Sequence, residues 1–439
     1  MPEVSAAKHV KDLRAEGVRL VAGSLTDLAG VTRAKYVPVD RLGAFVHAGM
    51  GVSPSWSVFC VDSTIAFTPA LGVVGDRRLR IDPGELRLLG DDIAWAPAVL
   101  GDQAGRPVTI CVRSLLHACE ANLAARGLSA LVGAELEFTL LAPDGGHATT
   151  DPWSPYGIRP SLERATFLTD LTTAAERAGL PVEQVHAEYG HDQIELSVAP
   201  SAPAAAADAV ILARILVGQT AARHGLKASF SPVPFAGEAG NGAHLHLSLA
   251  DADGPLFSGG TGPHGMRSTG AAAIAGVLDT LPDLVGVYAG SVLSAARLKP
   301  GNWAGAAHCW GLENREAAVR FIADTPGNPH GANVELKIID PSANPYLATL
   351  ALLGSALRGV DNDLPLPAEV PDNPAGTVEP LQADQATVLD RLENSSVAAE
   401  LLGPDVIDGL LAVRRHELHT YGNQPAADTC AALRLAWSC

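Results

Sequence analysis

Glu135, Glu137, Glu195, His244, His246 and Glu335 lie far apart along the chain, yet each sits in a short segment where it alternates with apolar residues. In Gly133-Ala-Glu-Leu-Glu-Phe138, a strand would put Ala134, Leu136 and Phe138 on one face and Glu135 and Glu137 on the other. Gln193-Ile-Glu-Leu196 presents Glu195 in the same way, and Gly242-Ala-His-Leu-His-Leu-Ser248 sets His244, His246 and Ser248 opposite Leu245 and Leu247. Val334-Glu-Leu-Lys-Ile338 presents Glu335 and Lys337. A curved sheet collecting these groups on its inner surface would bring together four or five acids and two imidazoles, whose mutual repulsion only cations relieve. Carboxylate oxygens with one or two imidazoles suit a hard ion, Mg²⁺ or Mn²⁺, and two ions rather than one; zinc would use more His or Cys and fewer ligands. Any one segment also reads as an ordinary half-solvated strand, and the recurrence of four is what points to metal.

The elements that must position these groups are legible in outline. A chain of 439 residues exceeds a usual single core, and its 47% hydrophobic content is ample for two domains. The polar stretch Gly101-Asp-Gln-Ala-Gly-Arg-Pro107 suggests a division into residues 1–103 and 104–439. Val18 to Ala22 and Thr32 to Val37 read as strands of a small first sheet. A helix is expected from Val112 to Arg126, then the first Glu strand, a capped helix from about Ser161 to Ala178, and a strand reaching Glu188. Leu364-Pro-Leu-Pro-Ala-Glu-Val-Pro371 reads as an extended connection, with helices resuming from about Gln385 to Tyr421. No internal repeat is visible.

The start, Met-Pro-Glu-Val-Ser, has no basic region followed by an apolar stretch, and the apolar run Ala209 to Val217 is broken by Arg214, so neither export nor membrane insertion is expected. Six cysteines without a C-x-x-C pair fit reduced thiols in a cytoplasm. The formal charge of -17 argues against nucleic acid as a partner; it would draw cationic small molecules, or serve solubility alone.

Over nearly its whole length the chain resembles the glutamine synthetase superfamily. The resemblance rests on Asp27-Leu-Ala-Gly-Val-Thr-Arg33, Glu135-Leu-Glu137, His186-Ala-Glu-Tyr-Gly-His-Asp-Gln-Ile-Glu195, Gly240-Asn-Gly-Ala-His-Leu-His246, Arg297-Leu-Lys-Pro-Gly301, Asn314-Arg315 and Asp340-Pro-Ser-Ala-Asn-Pro-Tyr346. It implies an α+β fold with a small N-terminal β-grasp domain, a catalytic domain with a curved antiparallel sheet flanked by helices, and a ring-shaped homo-oligomer, a dodecamer, with active sites between neighbours. Carried over by motif, Glu137, Glu188 and Glu195 are expected to hold the metal beside the substrate carboxylate, and Glu135, His244 and Glu335 the metal beside the ATP phosphates. The same resemblance puts His246 and Ser248 at the nucleotide, Arg315 and Arg320 on phosphate, and Gly240, Arg297 and Lys337 at the acid substrate. A strand histidine with a satisfied hydrogen bond is the alternative for His246.

Those parts suit activation of a carboxylate by ATP to an acyl phosphate, which an amine then displaces. The departures from ammonium-using glutamine synthetases narrow the amine. Their ammonium site has an Asp in a D-G-S-S segment and a Glu shortly after R-L-x-P-G; here Gly51-Val-Ser-Pro-Ser55 has no Asp, and Trp303 takes the Glu position. Ammonium needs buried negative charge, whereas an organic amine can rest on an aromatic face, supplied by Trp303, with Trp56 or Trp310 as further candidates. Ala239 stands where ammonium-using relatives have Asn, Lys337 where they have an Arg that helps hold glutamate, and Asn333 near an expected phosphate-binding Arg. Pro300-Gly-Asn-Trp303 and Trp310-Gly-Leu-Glu-Asn-Arg315 are similar to motifs of the branch that includes γ-glutamylpolyamine synthetases. The expected activity is ATP-dependent ligation of glutamate, or a close analogue, to an organic primary amine. The alternatives are an authentic glutamine synthetase and a non-catalytic structural or regulatory oligomer; without the resemblance, a two-metal hydrolase is a rival.

Overall fold

The computed structural model describes residues 2–90, 92–328 and 330–438, with side chains from residue 8 onward. The first sheet contains β1 (Leu20–Thr26), β2 (Thr32–Pro38), β3 (Met50–Val52), β4 (Arg77–Ile81), β5 (Arg87–Leu88) and β6 (Ile93–Gly101). Its order is β2-β1-β6-β4-β3, with β5 on β6; β1 runs parallel to β6 and the other pairs are antiparallel. The first expected strand therefore begins two residues later than its apolar pattern suggests and runs on to Thr26.

The β1–β2 turn explains why two distant motifs occur in one chain. The buried Asp27 carboxylate accepts from Val31 N at 3.0 Å and Arg33 Nε at 2.6 Å. Gly30 has φ 86°, and a Cβ there would stand 2.4 Å from the Ser342 carbonyl oxygen. Asn344 then donates to the carbonyls of Thr26 and Asp27 at 3.1 and 3.0 Å, and Trp437 Nε1 donates to Ala29 O at 2.8 Å. Glycine is required because the turn is left-handed and pressed against another backbone. The segment that follows the last Glu strand is thereby docked onto the first sheet.

The second sheet holds the site. It contains β7 (Ser129–Leu141), β8 (Val182–Ala187), β9 (Gln193–Ser201), β10 (Lys227–Ser229), β11 (Leu245–Asp251), β12 (Gly254–Pro255), β13 (Ala307–Leu312), β14 (Ala317–Ile322) and β15 (Asn333–Leu336). The order is β13-β14-β15-β11-β7-β9-β8, with β10 on β7 and β12 on β11. All pairs are antiparallel except β13 with β14. One face buries Leu136, Phe138, Leu245, Leu247, Val334 and Leu336, and helix Pro203–Arg223 packs on β7 and β9 and against helix Pro345–Asp361. Register does the rest: Glu137 lies opposite Glu195, Glu195 opposite His186, and Glu335 opposite both His246 and Arg320. Directly opposed residues share a face, so the polar groups meet on the side away from these leucines.

Differences from the expected elements are local. The helix read as Ser161 to Ala178 is two, Ile158–Glu163 and Ala165–Ala178, and the first starts after Gly157 without a side-chain cap. Arg164 breaks them and sends its guanidinium to Asp192 at 2.9 Å. The C-terminal helical region is three helices, Gln385–Asn394, Ser396–Leu402 and Pro404–Tyr421, interrupted at Ser395 and at Gly403 with its φ of 80°. Helices Pro203–Arg223 and Ser268–Tyr288 are long and apolar enough to cross a membrane, but most of each is buried inside the protein, and Arg214 lies over the Phe230 ring. They are core helices. Cys60, Cys111, Cys119, Cys309 and Cys430 are buried free thiols, and Cys439 lies outside the described residues.

Candidate active site

Glu135 bridges two histidines: its Oε2 is 3.2 Å from His244 Nδ1 and its Oε1 is 3.3 Å from His246 Nε2. His244 Nδ1 is also 3.4 Å from Glu335 Oε1. On the β8–β9 side, His186 Nε2 is 3.2 Å from Glu188 Oε2 and 3.7 Å from Glu195 Oε1, while Tyr156 OH donates to Glu188 Oε1 at 2.6 Å. Three groups have their donor atoms within 4.8 Å of one another: Glu135, Glu195 and His244; Glu135, His246 and Glu335; and His186, Glu188 and Glu195.

These groups cut across the two triads expected from the motifs. Glu188 and Glu195 come together with His186, whereas the Glu137 carboxylate accepts from Gln193 Nε2 and Gly242 N, both at 2.8 Å. Glu335 lies beside His244 but is also held at 3.1 Å by Lys337 Nζ and at 3.1 Å by Arg320 Nη1. Arg320 reaches Glu313 as well. His186 and Gln193 join the site without being among the expected site residues, although His186 stands two positions before Glu188 and β alternation puts both on one side. Nothing local in the sequence marks Gln193 as the group that orients Glu137.

The electrostatics fit a cation. Burial, with the charges of Glu135, Glu137, Glu188 and Glu335, pushes Glu195 up to about 9. Burial also opposes ionisation of Glu335, but Lys337, His246 and His244 outweigh it and bring its pKa down to about 2. Glu135, likewise buried, is held well below the usual carboxylate range by His244 and His246. Burial disfavours the charged form of His246, yet Glu135 raises it to about 9, and Glu188 raises His186. His246 Nε2 is buried without a hydrogen bond while facing Glu135 Oε1. Oxygen-rich donors with imidazoles, self-repelling enough to keep one carboxyl protonated, match a divalent ion.

The remaining candidates divide. Arg297 is buried, which lowers its pKa; it donates to Ile338 O and Lys337 O at 3.2 Å each and lies 3.1 Å from His244 Nε2. Gly240 lets it approach, since a Cβ there would meet Pro232 O at 2.4 Å and Arg297 Cγ at 3.0 Å. His246 Nδ1 is 3.0 Å from Asn333 Oδ1, and Ser248 Oγ donates to Ala332 O at 3.4 Å. Arg315 is exposed on the β13–β14 turn. Trp303 is 56% exposed, with φ 52°, and Glu316 fixes its turn by accepting from Trp303 N at 3.1 Å and Gly301 N at 3.3 Å. Trp56 sits on the first sheet's side of the molecule, its ring 5.5 Å from Lys35 Nζ. Trp310 is a core residue whose Nε1 donates to Pro367 O at 2.9 Å.

The sequence profile described as "Glutamine synthetase, catalytic domain" matches residues 109–431. The chain belongs to the glutamine synthetase family. It is 38% identical over 424 residues to a gamma-glutamylpolyamine synthetase of Streptomyces coelicolor, covering 92% of this chain and 91% of that one. A glutamine synthetase of Mycolicibacterium smegmatis is 31% identical over 435 residues, covering 94% and 95%. A crystal structure described as a novel glutamine synthase homolog superposes with a TM-score of 0.86 at 31% identity, covering 96% of this chain and 99% of that one. The family's curved-sheet fold is thus the fold of this chain, and the donor groups of β7, β8, β9, β11 and β15 lie on its sheet.

Proposed function

We propose that the protein is an ATP-dependent ligase that joins the γ-carboxyl of glutamate to an organic primary amine through an acyl phosphate. One observation carries the choice of amine: Trp303 stands on an exposed turn, where the family resemblance implies a carboxylate in ammonium-using relatives. The greater identity to a polyamine-using relative, 38% against 31% for a glutamine synthetase, points the same way. An aromatic face suits the methylenes and cation of an organic amine better than bare ammonium, and the Glu316 carboxylate beside it is engaged by the Trp303 and Gly301 N–H groups.

Glu135, Glu195, His244, His186 and Glu188 would hold divalent ions, with Glu335 beside them. The ions would neutralise charge on the transferring phosphoryl group. Arg320 on β14, with one hydrogen bond already to Glu335, is the candidate for stabilising the phosphoryl oxygens, and Arg315 projects from the turn that leads into that strand. Arg297 and Gly240 line the place for the acid. Tyr156 and His186 orient Glu188, and Gln193 orients Glu137, so these carboxylates need little rearrangement. A ring oligomer and a cytoplasmic location accompany this reading, as does a first domain ending near residue 103.

The test is phosphate release from ATP with glutamate and a panel of linear polyamines, short monoamines and ammonium, with product mass determined. Release should depend on an organic amine and yield its γ-glutamyl amide. Equal efficiency with ammonium would make the protein a glutamine synthetase, and no release across the panel and several acids would favour the non-catalytic alternative.

A further inference from the structure

Apart from the carboxylate cluster, a second group of donors lies where residues 142–157 meet the turn between β8 and β9. Asp192 Oδ2 is 3.7 Å from His147 Nδ1 and 3.8 Å from His191 Nε2, and the three atoms lie within 4.8 Å of one another. Both of these ring nitrogens are buried and have no hydrogen-bond partner. The other nitrogen of His147, Nε2, is 3.2 Å from Glu238 Oε1. If Nε2 carries the proton and donates it to Glu238, Nδ1 presents a lone pair toward a carboxylate that also has only lone pairs to offer. Unpaired buried acceptors pointing at one another call for an ion between them.

The surroundings are built for it. Asp192 is fully buried and holds φ 58°, a conformation that a non-glycine residue keeps only when its neighbours enforce it. They do so here: Arg164 binds Oδ1 at 2.9 Å and Thr149 N donates to Oδ2 at 3.1 Å, which leaves Oδ2 a further lone pair. The His147 ring is stacked between Phe235 and His191, with centroids 4.0 and 4.6 Å away, and Trp153 stacks on His191 at 5.9 Å. A histidine ligand whose second nitrogen is bound by a carboxylate is the arrangement that fixes tautomer and ring orientation in metal sites. Tetrahedral N and O ligands at about 2.0–2.1 Å from Zn²⁺ lie about 3.3 Å apart, so Asp192 Oδ2, now 3.7 and 3.8 Å from the two ring nitrogens, would draw closer to each by about half an ångström on binding.

We propose that His147, His191 and Asp192 form a site for a borderline divalent transition metal such as Zn²⁺, separate from the carboxylate cluster. Two imidazoles and one carboxylate select such a metal over Mg²⁺, which prefers oxygen ligands. The ion pins residues 142–157 to the β8–β9 turn. That segment also carries Trp153, whose Nε1 donates to Glu188 O at 2.9 Å, and Tyr156, which binds the Glu188 carboxylate. The site therefore acts on the catalytic cluster by positioning, and its existence does not depend on which amine the enzyme uses.

The full-length protein, saturated with Mg²⁺ to fill the carboxylate cluster, is titrated with Co²⁺, whose visible absorption reports nitrogen coordination, and then with Zn²⁺ to displace it. One equivalent of Co²⁺ should bind per chain and be released by Zn²⁺. His191→Phe keeps a flat ring against Trp153 while removing the nitrogen, and should weaken Co²⁺ binding by more than about tenfold. Asp192→Asn, which tolerates the left-handed backbone, should weaken it too, and both variants are checked for folding by circular dichroism. Glu195→Gln should leave the absorption unchanged. The proposal is overturned if the wild type gives no nitrogen-coordinated Co²⁺ signal, if folded His191→Phe binds as the wild type does, or if Glu195→Gln abolishes the signal instead.

Discussion

Cation binding at the active site should release protons, and Glu195 is one source of them. Burial and four neighbouring acids push this carboxyl up to about 9, so without a cation it is protonated at pH 7. A divalent ion binds the ionised carboxylate, and binding is thereby linked to deprotonation. With pKa 9 and pH 7 the gap is two units, which corresponds to about 2.7 kcal/mol. Apparent Mg²⁺ or Mn²⁺ affinity at pH 7 should then be about 100-fold weaker than above pH 9, changing about tenfold per pH unit between. The stability effect has the opposite slope. Glu195 holds its proton more tightly folded than unfolded, so its contribution is greatest below its ordinary value of 4.5 and declines as pH rises toward 9. Added Mg²⁺ should flatten that decline. Isothermal titration in two buffers of different ionisation enthalpy gives the protons released per ion, and thermal melts across pH with and without Mg²⁺ give the stability arm. Near pH 7 at least one proton should leave, with His246 and His186 able to add to the count, and Glu195→Gln should lower the release by about one proton and make the pH slope shallower. Wild-type binding without proton release, with affinity unchanged from about pH 6.5 to 8.5, would refute the reasoning.

Gly242→Ala should cut turnover by about 100-fold or more, because its Cβ would stand 2.5 Å from His244 Nε2, 2.8 Å from Arg297 Nη2 and 2.9 Å from Glu137 Oε1; near-normal kcat would mean these groups do not act together. Trp303→Ala should lower kcat/KM for the preferred organic amine by an amount equivalent to about 1–3 kcal/mol, with little change in melting temperature, since the ring is 56% exposed. Unchanged amine selectivity would remove Trp303 from the amine site. Arg297→Ala should raise the apparent KM for the acid far more than for ATP, and also lower stability by about 3 kcal/mol through its lost buried hydrogen bonds; equal effects on both KM values would put its role elsewhere.

How much of this could be read from the chain varies with the range of the interaction. Period-two alternation placed Glu135, Glu137, Glu195, His246 and Glu335 in strands, because alternation is a local property that burial of one sheet face imposes. His244 precedes β11 by one residue, but Glu135 N still donates to its carbonyl at 3.0 Å, so it keeps its place in the row. Which carboxylate meets which could not be read, because that depends on strand order and register between segments far apart in sequence. The same applies to Arg297, whose hydrogen bonds run to β15's continuation. The break at Arg164 is another tertiary effect: its guanidinium is drawn to buried Asp192, and the local helix pattern contains no sign of that partner.

Lys337 changes the balance of the cluster. Its ammonium lies 3.1 Å from Glu335 Oε1, both groups are buried, and Arg320 takes the other oxygen at 3.1 Å. Glu335 is therefore compensated by the protein's own cations and stays ionised over the whole physiological range, whether or not a metal is present. Among the described residues Glu195 has no such partner: the nearest basic side chain in its group is His186, at 3.7 Å, and four acids oppose its charge. The cluster thus divides into a permanently charged half at β15 and a half at β9 that becomes charged as an ion arrives. Side chains set the geometry of the first half in advance, while the second gains its charge only with the ion. Glu135, His244 and Glu335 would offer a divalent ion an anchored carboxylate–imidazole set, and Glu195 would add a ligand once it gave up its proton.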